Sequence, residues 1–212
     1  HIFLDLITNY GIQLFLPFSN ARPAWDLVFI LDPFLTLPLL GALLAGYLWR
    51  PRAAILGRVA FVLLAAYLAF MALSHFAAAA TMDRVARGRG IVPRRVEVLP
   101  EPFNPLRWRG FAEDEENYWQ GTVGLGRDLV DLVRIPKGPL NGPVARAAQV
   151  GAVKTFLWFA RFPVVSLREE NGRHVVEYRD LRFAHSLRRR PPFLLRVVLS
   201  QSGSVERVLF NP

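Results

Sequence analysis

His1 and Asp5 stand four residues apart in the apolar run HIFLDLI. On a helix that spacing puts an imidazole and a carboxylate on one face, one turn apart. Such a pair can hold a divalent cation, imidazole suiting zinc and carboxylate suiting harder ions. Two more carboxylates, Asp26 and Asp32, follow in a second apolar stretch. Ionisable groups in such surroundings are costly unless a partner, a cavity or a bound ion compensates them. Each also has a plainer reading. His1 and Asp5 make a helix-end pair, Asp26 caps a helix starting near Leu27, and Asp32, just before Pro33, is a turn residue. Taken together, the four mark the first 33 residues as one half of a metal site at a membrane surface.

The elements that must position them are unevenly apolar. Of 212 residues, 52% are hydrophobic, concentrated before residue 81, while the charges concentrate after it. That asymmetry predicts a membrane part followed by a water-exposed part. Residues 1–18 read as the tail of a helix, with Gly11 as a helix end or kink. Residues 27–49 carry one charge, Asp32, and residues 59–80 carry none apart from a proton on His75. Both stretches are long enough to cross a hydrocarbon core of roughly 30 Å. The first contains Pro33 and Pro38, and its Asp32-Pro33 step predicts a broken or kinked start.

The net charge of +9 comes almost wholly from arginine, Lys137 and Lys154 being the only lysines. Beside hydrophobic spans, an anionic leaflet is a better partner for that charge than nucleic acid, which we exclude. Arg84, Arg87, Arg89, Arg94 and Arg95 outnumber Arg50, Arg52 and Arg58, which places everything after residue 81 in the cytoplasm. The absence of cysteine rules out disulfides, thiolate metal sites and a cysteine nucleophile.

From Val92 the pattern turns to short β-rich pieces. The acidic run AEDEEN reads as a hairpin turn, Asn171-Gly172 as the strongest hairpin signal, and Ser202-Gly203 as another. Residues 143–162 suit a helix with Pro143 in its first turn. The expected architecture is α+β: N-terminal transmembrane helices over residues 1–81, a basic juxtamembrane linker over 82–95, and a small antiparallel β-rich domain over 96–212. That last domain would hold five or six strands packed on one helix. His75 reads as a packing residue, His174 as solvent-exposed, and His185 with Arg188, Arg189 and Arg190 as a solvated or headgroup-facing loop. Trp108, Trp119, Phe156, Trp158 and Phe159 read as core or interface. No G-x-S-x-G, Gly-rich phosphate loop or H-E-x-x-H is present.

The opening segment resembles the YdjM-like family of bacterial inner-membrane proteins, described as membrane-bound metal-dependent hydrolases. The likeness rests on H-x-x-x-D-x-x-T-x-Y-G at His1, Asp5, Thr8, Tyr10 and Gly11. It continues in the Leu-Pro-Phe-Ser run from Leu16 to Ser19 and the W-D-x-x-F-I-x-D-P segment from Trp25 to Pro33. The segment around Asn104, Pro105 and Trp108 is also similar to some members. The resemblance implies a multi-pass inner-membrane protein with a divalent metal ion, Zn or Mn. His1 and Asp5 would be its ligands, with Asp26 and Asp32 as further ligands or as groups that support the ligands. It also implies upstream histidine motifs that this sequence lacks, so the chain reads as an N-terminally truncated member.

The leading expectation is therefore a metal-dependent hydrolase in which Asp26 or Asp32 orients or deprotonates the attacking water, acting on a lipid or another interfacial molecule. One rival is a non-enzymatic, membrane-anchored module that binds a protein partner. A weaker rival is a transporter using Asp32 and His75 as a proton path.

Overall fold

The computed structural model describes residues 1–126, 131–184 and 193–211. The fold is mixed α+β, with two four-stranded sheets in the simple orders β1-β2-β3-β4 and β5-β6-β7-β8. The chain divides into two compact units. The first holds His1–Glu115 and Trp119–Arg134, the second Glu116–Tyr118 and Ile135–Pro212.

The first unit opens with the short helix α1 (Ile2–Ile7) and an irregular segment, residues 8–32. Helix α2 (Pro33–Leu48) begins where Asp32 caps it and Pro33, which has no N–H to leave orphaned, takes the first position. A single 3-10 turn at Arg50–Arg52 reverses the chain into α3 (Ala53–Gly88). The turn is so short that α2 and α3 run as antiparallel neighbours. Their outer surface is apolar all round: Leu43 is 78% exposed, Phe61 70% and Leu37 64%. A helix apolar on every side needs either a protein core or lipid around it, and no core covers these residues.

The second half of α3 behaves differently. Met71, Ser74, Ala78, Met82 and Ala86 are buried, at the three- and four-residue spacing of one helix face. That stripe packs on β1 (Arg95–Glu101) and β2 (Asn104–Glu113), sharing a core with Val98, Trp108, Ala112 and Val123. Strands β3 (Asn117–Gly124) and β4 (Val133–Pro136) complete the sheet. The AEDEEN run connects β2 to β3 as expected.

Two expectations change here. The spans expected over 27–49 and 59–80 fall on α2 and α3 with other bounds, and among the described residues one helix, Arg50–Gly88, is long and apolar enough to cross a membrane by itself. At 16 residues α2 is about 24 Å long, short of a typical hydrocarbon core. Residues 82–88, expected in a linker, are the last turns of α3. The alanine-rich sequence hid the change of surroundings, because Ala suits a lipid-facing and a sheet-facing helix equally.

In the second unit, α4 (Pro143–Ala147) and α5 (Gly151–Phe159) replace the single helix expected over 143–162. Val150 is extended and ends the continuity between them. Val153 and Phe156 pack with Val144 and Ala147 against Val176, Tyr178 and Val197 of the sheet. That sheet is an antiparallel meander of β5 (Pro163–Glu170), β6 (Arg173–Asp180), β7 (Leu194–Leu199) and β8 (Val205–Phe210). Asn171 and Gly172 form the β5–β6 turn with φ of 51° and 70°, the left-handed pair of a type I′ hairpin. The Ser202-Gly203 turn joins β7 to β8. Among the described residues there are eight strands in two sheets, where five or six in one were expected.

Charge is handled by burial with partners. Asp180 and Arg182 are both fully buried, with Arg182 Nη2 donating to Asp180 Oδ2 at 2.7 Å. Asp180 also accepts from the backbone N–H groups of Arg161 and Arg182, and the guanidinium lies over the rings of Phe159 and Phe183. Across β5–β7, Glu177 accepts from Arg168 and Arg196. Burial pushes the Glu177 carboxyl up, but the two guanidiniums together bring it below its ordinary range. His174 is half-buried in β6 rather than fully exposed, because it already lies within the ladder opposite Leu199. Trp108 and Phe156 are core, whereas Trp158 is 46% exposed. His185 and Arg188 to Arg190 lie outside the described residues.

Candidate functional site

Helix α1 has only six residues, so its own hydrogen bonds cannot hold it. It is held from outside. The carbonyls of Leu6 and Ile7, orphaned at its C-terminal end, accept from the N–H groups of Trp25 at 2.7 Å, Leu27 at 2.9 Å and Val28 at 3.1 Å. Ile7 and Val28 are buried in the same core as Met71, and Tyr67 packs against it. The Phe3 and Trp25 rings meet edge to face with centroids 6.1 Å apart. Segment 22–28 is thus a strap that fixes α1.

Gly11 lets the strap close. Its φ is +72°, and a Cβ there would stand 3.0 Å from the carbonyl oxygens of both Arg22 and Pro23. No other residue type fits both the angle and the space. Gly11 is therefore neither the end of α1 nor a kink in it: α1 stops four residues earlier. Arg22 adds a guanidinium bond to the carbonyl of Tyr10.

On this scaffold His1 Nε2 lies 3.5 Å from Asp5 Oδ2, and both side chains face outward, 91% and 48% exposed. The spacing read from sequence does bring these two together. Asp26 sits in the strap between the bonds from Trp25 and Leu27 to α1, with φ of 55° and only 4% exposure. The left-handed backbone suits Asp, which tolerates that region better than most residues.

Asp32 is the helix cap that sequence reasoning assigned to Asp26. Its Oδ1 accepts from the N–H groups of Phe34 at 2.8 Å and Leu35 at 3.2 Å. Its Oδ2 accepts from the Tyr67 hydroxyl at 2.7 Å. Capping falls to Asp32 because α2 starts at Pro33, not near Leu27. Both oxygens are engaged, which makes Asp32 a locked carboxylate at the junction of α2 and α3. Tyr67 escaped the sequence reading, though a phenol in so apolar a run was a usable signal. A buried phenol usually has a polar partner.

His75 packs against Trp108 and Phe76, with ring centroids 5.5 Å and 5.6 Å apart, in keeping with a packing role. Among the described residues, no three His, Asp or Glu side chains gather as an ion would require. What the chain does offer is a two-donor pair, His1 with Asp5, open to solvent. It fits two adjacent positions in the shell of a divalent ion. Asp32 spends Oδ1 on two backbone N–H groups and one lone pair of Oδ2 on Tyr67, which leaves the second lone pair of Oδ2 as its remaining acceptor site.

Residues 1–78 match the family model described as YdjM inner membrane protein. The match covers α1, the strap, α2 and the first part of α3, and bears out the resemblance carried by the opening 33 residues. Neither a curated protein nor a solved structure matches the chain.

Proposed function

Starting from an N-terminal part of YdjM inner-membrane type, we propose that the chain is a membrane-bound metal-dependent hydrolase. The observation that carries this is the His1–Asp5 pair, 3.5 Å apart on the exposed face of α1. In this reading His1 and Asp5 hold a divalent ion, zinc or manganese, with further donors from outside the described residues or from water. When bound, the ion would supply Lewis acidity to the substrate oxygen and acidify a coordinated water. Asp5 orients the imidazole by its charge. Asp26, fixed in the strap, or Asp32, fixed by Tyr67, takes the proton of the attacking water. The substrate is a lipid or another molecule that reaches the interface, since α1 and the strap expose Phe3, Leu4 and Trp25 beside the pair.

The protein is read as multi-pass, with residues after 81 in the cytoplasm; the larger arginine count on that side supports this orientation. The test is metal content and zinc and manganese titration of the purified protein, repeated with His1→Ala and Asp5→Ala. Binding should fall at least tenfold in each. Unchanged stoichiometry and affinity in both would remove the site.

A second reading is a non-enzymatic, membrane-anchored module that binds a protein partner. It is favoured by the second unit having its own core, built from α4, α5 and the β5–β8 sheet. In that case His1 and Asp5 are structural, and the His1→Ala and Asp5→Ala proteins keep partner capture.

A further inference from the structure

The α2–α3 hairpin and its tip bear on how this protein meets the bilayer. The helix long enough to span is too long to lie wholly in lipid, since α3 extends about 54 Å. Its burial pattern says which half does. From Met71 onward one face of α3 is covered by β1 and β2. A sheet with an edge strand is not tolerated in hydrocarbon, where unpaired backbone groups find no water. The bilayer must therefore end near Met71. What remains is residues 53–70 of α3, about 27 Å, and α2, about 24 Å, preceded by the exposed Ile30 and Leu31. These lengths fall about 3 and 6 Å short of a core of roughly 30 Å, a mismatch that bilayers absorb by thinning.

The charges divide in the same way. Between Pro33 and Phe70 the charged residues are Arg50 and Arg52 in the turn and Arg58 about 7.5 Å along α3, from where its long side chain can snorkel back to the tip, and no acidic residue accompanies them. Of the arginines at the other end, Arg87 pairs with Asp83, Arg94 with Glu115 and Arg95 with Glu113 and Glu97, while Arg84 and Arg89 have no ion pair among the described residues. No ion pair of Arg50, Arg52 or Arg58 occurs among the described residues. Arg50 instead lies over the Tyr47 ring at 5.8 Å, next to Trp49, which is 62% exposed. An amphipathic ring beside guanidiniums at the end of an apolar stretch is the arrangement of a headgroup layer.

We infer that the α2–α3 hairpin crosses the bilayer completely, with Arg50, Arg52 and Arg58 seated among anionic phospholipid headgroups of the leaflet opposite the β1–β4 sheet. This rests on the membrane reading above and adds the depth, the side and the lipid chemistry. Planar guanidiniums match phosphate oxygens, and three without carboxylate partners favour an anionic lipid over a zwitterionic one.

The chain has no cysteine, so single-cysteine variants report cleanly. The full chain, reconstituted in phosphatidylcholine vesicles with one quarter phosphatidylglycerol, is treated with a membrane-impermeant thiol reagent from either side. Trp49→Cys and Phe103→Cys should react from opposite sides, and Leu43→Cys from neither. Reaction of Trp49→Cys and Phe103→Cys from the same side would overturn the crossing. Reaction of Leu43→Cys from water would overturn the membrane reading itself.

For the lipid chemistry, a donor dye on Trp49→Cys is paired with acceptor-labelled phosphatidylglycerol or phosphatidylcholine at equal mole fraction. The anionic acceptor should be enriched at the tip by about twofold or more, as expected for several basic residues at a charged surface. The enrichment should fall to parity in R50Q/R52Q/R58Q, while a dye on Phe103→Cys reports the same surroundings in both proteins. Parity in the parent, or enrichment unchanged in the triple variant, would overturn the headgroup assignment.

Discussion

Asp32→Ala separates a carboxylate that holds the fold from one that does chemistry. The substitution removes the cap of α2, which costs about 1 kcal/mol in comparable helices. It also strands the Tyr67 hydroxyl, which donates to Asp32 Oδ2 at 2.7 Å in a half-buried position. An unsatisfied hydroxyl there costs about 1–3 kcal/mol more. The expected loss is therefore about 2–4 kcal/mol in unfolding free energy, measured in mixed micelles by the loss of helical circular dichroism. Asp32→Asn should keep nearly all of it, within about 1 kcal/mol. Asn caps as well as Asp, and its amide can donate to the phenol oxygen. Tyr67→Phe should cost about 1–2 kcal/mol, and Asp32→Ala with Tyr67→Phe less than the sum of the two. An Asp32→Ala protein within 0.5 kcal/mol of the parent, or an Asp32→Asn protein as damaged as Asp32→Ala, would refute the reasoning, since values below that are ordinary for surface changes. The Asn variant also tests chemistry. If Asp32 takes the proton of the attacking water, hydrolysis is lost while the fold stays.

In the second unit, Asp180→Ala leaves the Arg182 guanidinium buried without its carboxylate and should cost about 3–5 kcal/mol, read from chemical denaturation. Asp180→Ala with Arg182→Met should recover most of that, because the apolar pair removes the stranded charge. Glu177 is held below its ordinary range near 4.5, so its contribution to stability is complete above that pH and drains away as the pH falls through the depressed native value. Thermal melts between pH 7 and pH 3 should show this decline, and Glu177→Gln should flatten it. Gly11→Ala should loosen the strap from α1, seen as faster amide exchange at Trp25, Leu27 and Val28, whose bonds to Leu6 and Ile7 carry the contact.

The hairpin turns were legible because they depend on a few local residues: Asn171-Gly172 states a left-handed turn wherever it stands. The His1–Asp5 pair was legible for the same reason, being set by the pitch of one helical turn. Residues 71–88 were not, since Met71, Ala78 and Met82 are as acceptable to lipid as to a sheet, and only Trp108 and Val98 decide between them. The capping role of Asp32 was not legible because it depends on where α2 starts and on Tyr67, 35 positions away. The break at Val150 was missed because helical spacing of apolar residues runs straight through it.

Between Arg58 and Arg87, helix α3 contains neither glycine nor proline. On the bilayer placement proposed above, it is a stiff beam clamped at one end by the β1–β4 sheet and immersed at the other. It has no joint at which to relax, so any force that tips the immersed end is delivered undiminished to the clamp. Stretching or compressing the surrounding lipid should thus register as strain where Met82 meets the sheet, even though that contact never touches an acyl chain.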